Sequence, residues 1–93
     1  MMDRDQRYNY DSYMREGSSW ERSAGNCESQ RDYLTAKSRY MDAMFAYEKA
    51  YDIANRAGDS AANEAYSKIS YCKSQITAMA YKYDDAVREY LST

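Results

Sequence analysis

Residues 33–54 read YLTAKSRYMDAMFAYEKAYDIA, and residues 62–90 read ANEAYSKISYCKSQITAMAYKYDDAVREY. In the first stretch Tyr33, Ala36, Tyr40, Ala43, Tyr47, Ala50 and Ala54 recur at alternating spacings of three and four. In the second, Ala62, Ala65, Ile69, Cys72, Ile76, Met79, Tyr83, Ala86 and Tyr90 do the same. Such a repeat stacks its residues on one face of a helix, as the seam of a helical pair requires. Only Gly58-Asp59-Ser60 lies between the stretches, and so short a connection makes the helices antiparallel neighbours. Folding about Gly58 sets Tyr47 opposite Ile69, Ala43 opposite Cys72, Tyr40 opposite Ile76 and Ala36 opposite Met79. Large Tyr alternates with small Ala, which leaves holes for the Ile and Met of the other helix. The spacing predicts helices over about 29–57 and 60–91. The second overruns the first, so Ala86, Val87, Tyr90 and Leu91 need cover from elsewhere, and the segment around Trp20 and Cys27 is the nearest candidate.

Upstream of the hairpin the glycines act as punctuation. Gly17 and Gly25 read as helix ends, like Gly58. Asp3 with Gln6 and Ser18 with Glu21 have capping-box spacing, and Ser29 with Asp32 is a looser version. The expectation is an N-terminal helix at about 3–16 and a short helical turn at about 19–24. The chain then divides into an N-terminal helix and connector, residues 1–27, and a hairpin, 28–93, within a single all-α domain. Tyr10, Tyr13 and Met14 of the first helix offer an apolar side that can pack on the hairpin, giving a three-helix bundle.

Composition bounds the chemistry. The 93 residues carry 13 basic and 15 acidic side chains, no His, no Pro and two Cys. No His-based general base, Cys/His zinc site or disulfide scaffold can be built from that set. Leu, Ile, Val and Phe total only seven, against 12 Tyr and six Met, so the core must consist of Tyr, Ala and Met. Each Tyr ring is apolar and each hydroxyl needs water or a partner, which predicts a thin core whose ring tips reach the surface. The near-neutral charge argues against a nucleic-acid module driven by phosphate attraction. Arg4, Arg7, Arg15, Arg22 and Arg31 interleave with Tyr8, Tyr10, Tyr13 and Trp20, a combination that can stack on bases. Seven acidic residues outnumber those five Arg, which favours an ion-paired helix and leaves single-strand binding as a third reading. No run is apolar enough for a secretory leader or a bilayer span, so the expectation is a cytoplasmic protein without a membrane role.

No catalytic, cofactor-binding or metal-ligating constellation is visible. Asp84, Asp85 and Glu89, like Glu48 and Asp52, have the spacing of a solvated face with ion pairs three or four residues apart. Cys72 lies on the seam as a small hydrophobe, and Cys27 has no His to activate it.

The residues left over point to recognition of another protein. Tyr71 and Tyr81, with Gln75, Ala78 and Lys82 beside them, are read as a Tyr-rich outer face of the last helix. Off its seam, the middle helix carries Leu34, Met41, Met44, Phe45 and Tyr51. Met41, Phe45 and Tyr51 are the alternative binding face, through which two copies can also self-associate as a homodimer. The stretch from Ala43 to Ala54, with Tyr47 and Ala50, resembles the second helix of a tetratricopeptide repeat, and Ala86 with Tyr90 repeats half of its pattern. That resemblance implies a peptide-binding groove. The family's first-helix pattern and closing Pro are missing, and the helices expected here are about twice the family's length. The function expected is therefore a non-catalytic protein-binding domain, in one version an inhibitor or adaptor. Stand-alone inhibitors of phages and mobile elements, such as anti-CRISPR proteins, are often single domains of this size. A self-assembling structural helical protein is the alternative.

Overall fold

Asp3 opens the first helix with a full capping box. Its side chain accepts the Gln6 N–H, and the Gln6 side chain accepts the Asp3 N–H. A computed structural model describes residues 1–92. Three helices follow in order: α1 (Arg4–Ser29), α2 (Tyr33–Arg56) and α3 (Ala61–Ser92). Among the described residues there are no strands.

Helix α1 is one element where the sequence suggested two. Gly17 and Gly25 both lie inside it, and the turn expected at 19–24 is part of the same helix. Glycine inside a helix costs only about 1 kcal/mol, which packing can override. At Gly17 the reason is visible. The Tyr47 ring of α2 lies so close that a β-carbon there would stand 2.5 Å from its Cε1 atom. The second helix also begins later than expected. Ser29 is the last residue of α1, and its hydroxyl donates to the Gly25 carbonyl. Asp32 caps α2 by accepting the Thr35 N–H at 3.3 Å. The turn between them is made by Arg31 with φ 60°, a left-handed conformation that no glycine advertises. The other turn follows expectation. Gly58 takes φ 64°, and Asp59 accepts the N–H groups of Ala61 and Met2. Those two bonds, Ala61's first, hold the Asp59 carboxyl below its usual pKa.

The molecule is 58 Å long and 17 by 13 Å across. Helix α2 lies in the middle and runs antiparallel to α1 and α3, both of which pack along it, while the backbones of α1 and α3 scarcely meet. The seam pairs as read from the sequence. Ala43, Tyr47, Ile69 and Cys72 form one cluster, and Ala36, Tyr40 and Met79 join Ala24 of α1 in another. A third gathers Met2 and Tyr10 with Ala50, Ala54, Ala62 and Ala65.

Tyrosine rings wedge the layers together. Tyr10, Tyr40 and Tyr47 are buried, yet each hydroxyl finds a partner on a neighbouring helix. Tyr10 donates to the Ala61 carbonyl at 2.9 Å, Tyr47 to Glu21 Oε1 at 2.9 Å and Tyr40 to Glu28 Oε1 at 3.4 Å. Burial is the first cause that pushes all three phenol pKa values above their usual range.

The far end of α3 departs from expectation. Val87, Tyr90 and Leu91 stay exposed, and Leu91 keeps 75% of its surface. Trp20 and Cys27 pack further down the molecule instead, against the Tyr47 and Tyr40 clusters respectively. The bundle ends where α1 hands over to α2, so the last turns of α3 project beyond it.

Candidate protein-binding surface

The residues expected to form an outer face on α3 separate into two groups. Tyr71 packs edge-on against Tyr40, with ring centroids 6.4 Å apart and planes at 79°. Ala78 is half-buried against the cluster of Ala24, Ala36, Tyr40 and Met79, and Gln75 is half-buried as well. Lys82 donates to Glu28 of α1, which raises the lysine's pKa. This strip of α3 thus touches the rest of the bundle, although Tyr71 keeps 45% of its surface exposed. Tyr81 alone of the set stands clear, 68% exposed. Helix geometry explains the split. Ten residues at about 100° each leave Tyr71 and Tyr81 roughly 80° apart around the axis, so they do not share one face.

Between α1 and α3 runs an open groove of about 250 Å³, lined by Met14, Arg15, Ser18, Tyr47, Glu64 and Lys68. Its polar groups are surface charges of both signs, and the Tyr47 hydroxyl on its floor is committed to Glu21. Cys72 is buried in the same cluster as Tyr47, its thiol pushed up to about 12 by burial, which holds it protonated. Among the described residues no group of three His, Cys, Asp or Glu is placed to hold a metal ion.

Three aromatic residues of α1 are engaged within the chain, while Tyr8 is exposed. Arg39 lies 5.1 Å over the Trp20 ring, Lys49 5.5 Å over Tyr13 and Arg7 5.8 Å over Tyr10. Trp20 and Tyr13 of this segment thus help fasten α1 to α2.

These contacts also define what α1 leaves open. It covers the flank of α2 that carries Arg39 and Lys49. The far side of α2 presents Leu34, Met41 and Phe45, which are 53%, 36% and 49% exposed. Tyr51 lies at the border of this face, half-buried, its ring 6.1 Å from Tyr66 of α3. The structure thus brings Met41 and Phe45 onto one uncovered surface with Leu34, and Tyr51 onto its edge. Tyr66, itself exposed, extends the surface onto α3. Sequence reading missed Tyr66 because it lies off the α3 seam. The signal was its level: folding about Gly58 places Tyr66 beside Tyr51.

Comparison with known proteins gives no match to a protein-family model, a curated protein or a solved structure. The tetratricopeptide-like spacing of Ala43, Tyr47, Ala50 and Ala54 is accounted for by burial of all four in the bundle. Among the described residues no helix is long and apolar enough to cross a membrane.

Proposed function

We propose that this chain is a small, non-catalytic protein-binding domain that works by presenting the uncovered face of α2 to another protein. One observation carries the reading. Leu34, Met41 and Phe45 lie exposed along one side of α2, while α1 seals the other. A helix with an apolar stripe on each side is built to be covered on each side. An inhibitor or adaptor that blocks a larger protein is one form of such a domain, and the comparison with phage-encoded inhibitors is one of size and type.

The test separates the two surfaces. Phe45→Asp and Leu34→Asp should leave the melting temperature nearly unchanged and abolish binding to a protein captured by the wild-type chain. Tyr81→Ala, on the outer side of α3, should leave that binding intact. Loss of binding with Tyr81→Ala and none with Phe45→Asp would move the interface to α3.

A further inference from the structure

We infer that the protein docking on this face is a second copy of the chain, held antiparallel with α2 against α2. The inference rests on the binding face proposed above and supplies its occupant.

Along the border of that face toward α3, Leu34, Lys37, Met41, Met44, Glu48 and Tyr51 follow the alternating three-and-four spacing of a helical seam, with Lys37, Met44 and Tyr51 half-buried and the last two resting on the α2–α3 cluster. Read from either end, the stripe is complementary to itself: apolar, positive, Met, then Met, negative, apolar. A two-fold axis between Met41 and Met44 lays Leu34 on Tyr51 of the second copy, Lys37 on its Glu48 and Met41 on its Met44. Each contact then occurs twice, as an isologous interface requires. The stripe is about 26 Å long at 1.5 Å per residue.

The charges select this arrangement. Within the chain, Arg39 is paired with Asp42 and Arg56 with Asp52. Lys37 and Glu48, by contrast, make no ion pair within the described chain, so both charges remain available. Antiparallel docking gives each its opposite, whereas parallel docking sets Lys37 on Lys37 and Glu48 on Glu48. Helix α1 lies on the opposite flank of α2, and α3 borders the stripe at Met44 and Tyr51. Phe45 and Tyr66 border the stripe and add apolar area. On α3, Lys73 lies nearly level with the axis, next to Cys72, which packs on Ala43. Its approach to the same residue of the second copy opposes tight association, so the dimer is one that dissociates on dilution.

Light scattering after size exclusion, with sedimentation equilibrium, over about 1 µM to about 1 mM protein tests this. The expected mass rises from the 10.9 kDa of one chain toward twice that value. Lys37→Glu and Glu48→Lys, each checked for helicity by circular dichroism, should each weaken dimerisation tenfold or more. The double variant restores opposite charges at both contacts and should recover most of the affinity. A monomer throughout the concentration range overturns the inference while leaving the face open to a different protein, which Phe45→Asp still tests. A dimer unchanged by either charge reversal, or singly weakened without rescue in the double variant, overturns the α2 register. Only the failure of Phe45→Asp to disturb both self-association and any captured partner removes the binding face itself.

Discussion

Gly17 and Gly25 both interrupt α1 with a residue that disfavours helix, yet they respond to alanine in opposite ways. At Gly25 nothing lies within 4 Å of a new β-carbon. Gly25→Ala should therefore stabilise by about 0.5–1 kcal/mol, the ordinary propensity gain. At Gly17 the same methyl meets the Tyr47 ring at 2.5–2.8 Å. That ring is buried and its hydroxyl is tied to Glu21, so it cannot retreat cheaply. Gly17→Ala should destabilise by about 1–3 kcal/mol, as overpacking does. Thermal melts of the two variants check the pair, and a stabilised Gly17→Ala would mean that the Tyr47 ring yields to the methyl without cost. Tyr71 and Tyr81 make a second contrast. Tyr71→Ala removes the edge-to-face contact with Tyr40 and should cost about 0.5–1.5 kcal/mol. Tyr81→Ala should stay within about 0.5 kcal/mol of wild type in the same melts.

At the scale of the helix, α3 is one continuous element with two environments. Its first two-thirds lie on α2, and its last turns extend past the bundle. Ile69 is buried against Ala43 and Tyr47, so Ile69→Ala should destabilise by about 2–4 kcal/mol. Ile76 is only half-buried, and the same change there should cost less. Val87→Ser and Leu91→Ser, on the projecting end, should change stability by no more than about 0.5 kcal/mol. Urea titration of the four variants tests that ordering. Equal losses at Leu91 and Ile69 would mean that the end of α3 is covered after all. The helix is held to its neighbours across this region by Lys82–Glu28 and Arg31–Glu89, both surface pairs that contribute little individually.

For the whole molecule, a Tyr-rich core sets the response to alkali. Tyr10, Tyr40, Tyr47 and Cys72 all hold their protons more tightly in the folded chain, burial being the leading cause. A raised folded pKa contributes stability that is complete below the unfolded value and is lost as pH rises past it. The unfolded values are near 9 for the thiol and 10 for the phenols. Melting temperature should therefore hold steady up to about pH 9 and fall steeply above it. Melts followed by circular dichroism between pH 7 and 11 measure this. Tyr40→Phe with Cys72→Ala should reduce the slope above pH 9, and an unchanged slope would mean that other groups govern it.

Much of this architecture is dictated locally. The three-and-four spacing of Tyr33 to Ala54 and of Ala62 to Tyr90 determined two antiparallel helices and their facing residues, because side-chain periodicity and a short Gly58 turn permit little else. The stripe of Leu34, Met41 and Phe45 was legible for the same reason. The continuity of α1 was not, since Gly17 reads as a helix end until the Tyr47 ring is set against it. Nor was the Arg31 turn, where a residue without glycine's freedom takes a left-handed conformation and two capping positions compete. Which apolar stripe stays open was likewise a tertiary decision. Each face of α2 is apolar by itself, and only the docking of Trp20 under Arg39 and Tyr13 under Lys49 assigns α1 to one flank. Burial is decided by which surfaces meet, and a helix seen alone carries no record of its neighbours' choice.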